Sequence, residues 1–149
     1  NFRLLKNGFK IYLSQKIKSN YYVRGSFSKL FKQYYQYGYW KVFVNQKHKT
    51  ITTLRQLIPL FFVCFLMFGA IAALLCNPLS IPYFLILCCY FFLAFYFSVK
   101  KTSNLKAIFL VAFTFFQLHL SYGLGYLWGI IEFIILRKKP SSKSKTLSR

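Results

Sequence analysis

Three long apolar segments dominate the second half of the chain. Residues 57–76 and 81–99 contain no charged side chain, and the short uncharged turn 77–80 separates them. Each of the two is long enough to cross the hydrocarbon core of a bilayer as a helix. Residues 107–136 form the third, which as one straight helix would be about 45 Å long, more than a single crossing needs. The pattern predicts a helical hairpin followed by a longer membrane segment.

The third apolar segment permits two arrangements. Polar residues such as Gln117 and Glu132 interrupt it, and the basic residues 137–149 follow it. A single crossing would place those basic residues on the side opposite the other basic segments, against the positive-inside tendency. A helix that breaks near residues 121–123 and returns along the interface keeps all positive charge on one side. The charges favour this bent or re-entrant arrangement, and the length permits either.

Residues 26–46 have the pattern of an amphipathic helix. Ser26 is a suitable N-cap, and lysines and glutamines alternate with aromatic residues along the segment. Lysines that reach phosphates and rings that sit at headgroup depth are typical of a helix lying on a membrane surface. We therefore expect an interfacial helix and linker over residues 26–56. The residues expected on its buried side are Phe27, Leu30, Phe31, Tyr34, Gly38 and Val42.

The N-terminal residues 1–25 have a different pattern. Residues 2–6 suggest the last turn of a helix, Asn7 and Gly8 its end, and residues 9–13 a short strand. So short a segment cannot form a domain alone, and we expect it to be the remnant of a larger α/β domain. The predicted fold class is therefore mainly α: a helical membrane protein with an interfacial amphipathic helix and a short α/β remnant. The tail 137–149 is expected to be disordered.

The charge balance indicates which class of partner to expect. The chain has 21 Lys and Arg against one acid, Glu132, and 56% of its residues are hydrophobic. Such a net charge predicts a polyanionic partner, but no Lys or Arg occurs from Gln56 to Val99. Positive charge that flanks apolar runs is typical of a membrane protein. We expect contact with membrane lipids rather than nucleic acid, and a multi-pass protein of the cell (cytoplasmic or inner) membrane with its N-terminal region on the cytoplasmic side.

The residue types exclude several chemistries. A single acid rules out a self-contained two-carboxylate mechanism and an acidic metal site. The four cysteines have no paired spacing and no histidine nearby, which indicates free thiols. We expect neither catalytic residues nor a metal site within this chain. The cysteines are Cys64, Cys76, Cys88 and Cys89.

One polar stripe is a candidate sugar-binding surface. Gln33, Gln36, Tyr37 and Trp40 follow one another at helical spacing and share one side of the predicted helix. Amide groups exchange hydrogen bonds with hydroxyl groups, and aromatic rings offer a flat apolar face to a sugar. The same pattern is also expected of a helix that rests on lipid with its glutamines in water.

The stretch HLSYGLGYLWG, residues 119–129, is the second candidate. Gly125 and Gly129 form a G-x-x-x-G pattern, which allows close helix approach, and His119 and Tyr122 would share a face. A path for a lipid-linked or carbohydrate group is one interpretation, since polar residues at membrane depth are often functional. A helix–helix contact with one satisfied histidine is the other. The candidate residues are His119, Ser121, Tyr122, Gly123, Gly125 and Gly129.

Three stretches together resemble the C-terminal membrane region of family 2 (GT-A type) membrane glycosyltransferases of exopolysaccharide and succinoglycan biosynthesis. Gln33 matches the first residue of their Q-x-x-R-W motif, while Gln36 and Tyr37 replace its Arg and Trp. The six candidate residues of 119–129 match a C-terminal H-x-S-Y-G-x-G-x-L-x-G stretch. The third stretch is the N-terminal one. In these enzymes the corresponding segment directly follows a Glu-Asp pair, and it is matched here by Arg3, Gly8, Lys10 and Ile11.

The resemblance implies an N-terminal catalytic domain that this chain lacks. In the family, that domain binds a nucleotide-sugar with a divalent metal, Mg²⁺ or Mn²⁺, and supplies the carboxylate base. The implied reaction transfers a sugar to a lipid-linked or polysaccharide acceptor, and Gln33, Gln36, Tyr37 and Trp40 would lie beside the substrates. This chain alone should then be inactive. A non-catalytic multi-pass membrane protein, such as a transport or assembly subunit with lipid-binding basic ends, is the alternative.

Overall fold

The computed structural model describes residues 2–20, 25–49 and 53–138, and in these ranges the regular structure is helical. The mainly α fold class is therefore confirmed. Within the same ranges, the segments Leu54–Leu75, Asn77–Val99 and Leu105–Ile135 are long and apolar enough to cross a membrane. The elements are α1 Phe2–Lys6, α2 Phe27–His48, a 3₁₀ turn Leu54–Leu57, α3 Ile58–Leu75, α4 Asn77–Val99, α5 Leu105–Gly129 and a π-helical turn Ile130–Ile135.

The secondary structure predicted for the N-terminal segment is half correct. Helix α1 forms over Phe2–Lys6, and Gly8 follows its end with a φ of +80°, which suits glycine. The amide of Phe9 donates to the Leu4 carbonyl at 3.0 Å, which closes the helix. The strand predicted over residues 9–13 is wrong, because a strand needs a hydrogen-bonded neighbour and the described residues supply none. The prediction of disorder for the tail falls mainly on residues 139–149, outside the described ranges.

Helix α2 packs along α5, and this pair forms the most extensive contact among the described helices. The Ser26 hydroxyl accepts a hydrogen bond from the Lys29 amide at 3.3 Å, as expected of an N-cap. The two helices run parallel: Phe27 meets Phe113 at a ring distance of 5.2 Å, and Gln46 donates to the Phe133 carbonyl at 3.3 Å. The core between them consists of Tyr39, Val42, Tyr126 and Phe133.

Helices α3 and α4 form an antiparallel hairpin, which Phe65–Tyr83 and Phe62–Tyr90 ring contacts of 5.1 and 4.6 Å hold together. Helix α5 passes obliquely across it. Near its start, α5 touches the end of α4, and fourteen residues later Gly123 lies against Pro59 in the first turn of α3. That interval corresponds to about 21 Å of helix. Helix α5 therefore connects the two hairpin ends that lie next to the basic segments.

The break near residues 121–123, which was part of one of the two arrangements considered, does not occur. Helix α5 is continuous from Leu105 to Gly129, and the irregularity comes later, as the π-helical turn Ile130–Ile135. Ser121 stays in the helix with its hydroxyl bonded to the Leu118 carbonyl at 3.3 Å. The glycines of this stretch serve close contacts with other helices, so their small size is used for packing rather than for a turn.

Candidate functional site

A cleft of about 600 Å³ lies where α2, the 3₁₀ turn, the start of α3 and the middle of α5 meet. Its aromatic wall combines Tyr37 and Trp40 of α2 with Tyr122 of α5. The two candidate stretches, which are far apart in sequence, thus contribute to one surface. The full lining is Tyr37, Trp40, Lys41, Val44, Thr53, Arg55, Gln56, Pro59 and Tyr122.

Gln33 lies behind this wall rather than on it. Its side chain is only 7% exposed, and its Nε2 donates to the Tyr37 hydroxyl at 2.7 Å. The outward-facing position predicted for Gln33 is therefore wrong, because this residue of the polar stripe is buried. The bond makes Gln33 a positioning residue for Tyr37, which is 51% exposed. Gln36 is half-buried and is not part of the cleft lining.

The stretch at residues 119–129 divides into two parts with different contacts. His119 lies away from the cleft lining, with Nδ1 at 3.1 Å from the Tyr90 hydroxyl and 2.9 Å from the Phe115 carbonyl oxygen. Since a carbonyl only accepts, the bond to Phe115 requires the hydrogen on Nδ1. The Nδ1 atom of His119 thus contacts both its own helix α5 and Tyr90 of α4, while Tyr122 faces the cleft.

The glycines of this stretch permit helix contacts. At Gly123 an added Cβ would overlap the Pro59 carbonyl oxygen, and at Gly125 that of Tyr35. At Gly129 the Cβ would lie 2.9 Å from the Tyr39 carbonyl oxygen. Close backbone approach of this kind is what small residues provide in membrane helices. The glycine pattern is therefore accounted for by packing, which leaves Tyr122 as the residue of this stretch that lines the cleft.

The cleft is electropositive. Lys41 and Arg55 contribute to its lining, which contains no carboxylate. Glu132, the single acid of the chain, lies instead in the π-helical turn, on the side of Tyr35. Burial, and secondarily the Glu132 carboxylate, raises the pKa of Tyr35 above its ordinary value of 10.0. An anionic ligand would meet two cations in the cleft and no opposing charge.

Sequence reasoning did not identify Lys41, Thr53, Arg55 or Gln56 as site residues. Two signals were available: Lys41 occupies the otherwise apolar side of the predicted helix, and Arg55 is the last cation before the charge-free run. A cation on an apolar face, or at the edge of a membrane segment, is partly removed from water and is stabilised by an anionic neighbour. Only the fold shows that the two converge.

The lining does not fit the divalent metal that the family resemblance implies. Mg²⁺ and Mn²⁺ prefer carboxylate and other hard oxygen ligands, and the cleft offers two cations instead. Among the described residues, no group of three or more His, Cys, Asp or Glu side chains lies together. No step of the reaction is therefore assigned to a metal held by this chain.

Comparison with known proteins gives one informative match. The chain is 36% identical over 74 residues, half of its length, to "Succinoglycan biosynthesis protein ExoA" of Rhizobium meliloti (strain 1021). The match covers 22% of that protein, so the chain is similar to a small part of it. No family model and no solved structure matches the chain. Together with the three apolar helices, this partial similarity indicates a membrane-associated protein that resembles part of a succinoglycan biosynthesis protein.

Proposed function

We propose that this chain is the membrane part of a family 2 glycosyltransferase that transfers a sugar from a nucleotide-sugar to a lipid-linked or polysaccharide acceptor. The similarity to a succinoglycan biosynthesis protein supports it. The nucleotide, any divalent metal and the carboxylate base would be bound or supplied by residues outside this chain. The 149-residue chain alone should therefore transfer no sugar.

The observation that carries this proposal is the joining of Tyr37 and Trp40 to Tyr122 in one cleft. Aromatic faces beside hydroxyl and amide groups suit a sugar, because the rings cover its apolar face while the polar groups exchange hydrogen bonds. Gln33 adds rigidity by holding the Tyr37 hydroxyl. A helix that merely rests on lipid needs neither a buried glutamine nor a cleft shared with another helix.

We also propose that the hairpin α3–α4 crosses the membrane and that α5 does not cross it fully. Helix α5 reaches from the end of α4 to the start of α3, two points that both adjoin basic segments. Its C-terminal half is covered by α2, which carries several lysines. This arrangement keeps α2, the loop after α4 and the C-terminus on one side, in agreement with the positive-inside tendency. That side is the cytoplasmic one.

The decisive experiment is a transfer assay on the complete protein encoded by the gene, in isolated membranes. Radiolabelled nucleotide-sugars are supplied, and label in the lipid extract and in polymer is measured. We expect transfer with at least one donor, and a loss of roughly tenfold or more for Trp40→Ala, since stacked aromatic contacts in a site contribute on the order of 1 kcal/mol or more. Tyr96→Phe, an exposed residue of α4, is the matched control and should transfer normally.

Two outcomes would overturn the proposal. An open reading frame that starts at or near Asn1 would leave no room for a catalytic domain. Well-inserted complete protein that transfers no sugar from any donor would favour the non-catalytic membrane protein instead. For the topology, a tag after Arg149 that reacts only from the outer face would contradict the cytoplasmic placement of the C-terminus.

A further inference from the structure

We propose that the cleft binds the phosphate group of a membrane lipid, with Arg55 and Lys41 as its cationic partners. This inference deepens the proposed function. Its identification of the lipid as the sugar acceptor rests on that function. Neither cation belongs to the stripe or to the stretch at residues 119–129, although Tyr37, Trp40 and Tyr122 of those motifs line the same cleft. Its ligand is defined by chemistry: a phosphate ester attached to a long apolar chain.

Charge is the first argument. Lys41 comes from the middle of α2 and Arg55 from the 3₁₀ turn before α3, and the fold brings both to one cavity. The lining provides no carboxylate to neutralise them. Arg offers a planar fork of donors that suits phosphate, and Lys adds a point charge. Hydroxyl groups of Thr53, Tyr37 and Tyr122 in the same lining can donate further hydrogen bonds.

Position is the second argument. Arg55 is the last cation before α3, and Pro59 in the first turn of α3 lines the same cleft. A phosphate there lies at the level where the charge-free helix begins, which is the headgroup level of a bilayer. The surface of α3 beyond Pro59 is apolar and largely exposed, for example Phe61 and Phe68 at 65% and 66%. An attached hydrocarbon chain can follow that surface, whereas free phosphate would leave it uncovered.

Size is the third argument. Cavities that hold small molecules usually measure about 300–1,000 Å³, and this one is about 600 Å³. The volume leaves space beside the two cations for a group linked to the phosphate. Trp40 and Tyr122 border that space, so a sugar carried on the phosphate would meet the aromatic wall. The cations would then fix the lipid end of the acceptor, and the rings its sugar end.

The test uses the purified 149-residue chain in neutral maltoside micelles, in a Trp128→Phe background that leaves Trp40 as the single tryptophan. The probes are farnesyl phosphate, farnesol, dihexanoyl phosphatidylglycerol and inorganic phosphate. We expect a saturable change in Trp40 emission with farnesyl phosphate, and at least tenfold weaker responses to farnesol and inorganic phosphate. Tighter binding of farnesyl phosphate than of phosphatidylglycerol assigns the site to a prenyl phosphate, and the reverse order assigns it to bulk phospholipid.

Charge variants decide whether Arg55 and Lys41 carry the binding. One cation near an anionic lipid changes its affinity by roughly fivefold, so Arg55→Gln should bind about fivefold more weakly and Lys41→Gln/Arg55→Gln about twentyfold. Arg55→Lys should retain most of the affinity. The control Lys100→Gln/Lys106→Gln removes the same amount of charge, from the residue after α4 and from the first turn of α5. Its affinity should stay within twofold of the wild-type value. Circular dichroism and gel filtration verify that each variant remains folded.

Three results would overturn the inference: equal binding of farnesol and farnesyl phosphate, an unchanged affinity of the Lys41/Arg55 double variant, or an equal loss in the Lys100/Lys106 control. The outcome is separable from that of the transfer assay. Lipid phosphate binding by a complete protein that transfers no sugar would refute the proposed function alone. Normal transfer with no lipid phosphate binding would refute this inference alone.

Discussion

Gly125→Ala is expected to be one of the most damaging single-methyl additions in this fold. An added Cβ at Gly125 would overlap the carbonyl oxygen of Tyr35 on α2. The obstacle is backbone, which cannot rotate away as a side chain can. Relief therefore requires α2 and α5 to move apart by about 1 Å, the range in which a contact loses a quarter to a half of its dispersion energy.

The size of the effect follows from what lies between the two helices. Tyr39, Val42, Tyr126 and Phe133 form the core of this contact, and each is at most 5% exposed. Overpacking a well-filled contact costs about 1–3 kcal/mol, and an obstacle made of backbone places Gly125→Ala at the upper end of that range. Gly25→Ala adds the same methyl group where nothing lies within 4 Å. That control should change the free energy of unfolding by less than about 0.5 kcal/mol.

Unfolding is measured in mixed maltoside and dodecyl sulfate micelles, by loss of helical circular dichroism. Gly38→Ala offers an internal check, since its Cβ would overlap the Tyr122 carbonyl oxygen in the same contact from the α2 side. Once one methyl group has separated the helices, the second should cost less, so the double variant should be more stable than the sum predicts by about 1 kcal/mol. A Gly125→Ala protein as stable as wild type, or strict additivity with Gly38→Ala, would refute the close α2–α5 contact.

Three further predictions concern α2. Ser26→Ala removes the N-cap acceptor of the Lys29 amide and should lower the free energy of unfolding by about 1 kcal/mol. Ser28→Ala is the control, and equal stability of the two variants would contradict the cap. Gln33→Ala should lower sugar transfer by the complete protein about fivefold, the worth of one hydrogen bond, with normal membrane insertion by carbonate extraction; unchanged turnover would remove Gln33 from the site. Burial raises the pKa of Tyr35 in the folded protein above its ordinary value of 10.0. Below pH 10 the tyrosine is protonated in both states, and above it the unfolded state ionises more readily, so the free energy of unfolding falls. Tyr35→Phe should flatten the fall in unfolding midpoint as the pH rises above 10.0, and an unchanged slope would contradict the shift.

The helices could be predicted from the sequence because their signals are local. Ser26 caps α2 through an amide three residues away, and the apolar runs that become α3 and α4 need only their own length and lack of charge. The strand at residues 9–13 failed for the opposite reason. A strand depends on a partner from elsewhere in the chain, and its own alternation of residues cannot supply one.

The composition of the cleft depends on contacts that no local pattern contains. Helical periodicity assigned Gln33 to the outer side of α2, since it assumes one buried face, whereas Gln33 on the opposite side is buried as well. The packing of the helices brings Tyr122 to the same cleft as Tyr37 and Trp40, and it places Lys41 and Arg55 in one lining. Residues 121–123 illustrate the converse error: Gly123 suggested a break, but its missing side chain accommodates the Pro59 carbonyl instead.

The glycine contacts and the cleft are mechanically linked, although no glycine lines the cavity. Tyr122 reaches the cleft from α5, and Tyr37 and Trp40 reach it from α2, so the spacing of these two helices sets the width of the aromatic wall. Gly38, which meets the Tyr122 carbonyl, and Gly125, which meets the Tyr35 carbonyl, set that spacing. A methyl group at Gly125 should therefore weaken farnesyl phosphate binding several-fold under conditions where the protein is still folded, because geometry within a site is sensitive to shifts of about 1 Å. Equal affinity in folded Gly125→Ala and wild-type protein would show that the cleft forms on α2 and the 3₁₀ turn without α5, and would remove Tyr122 from the site.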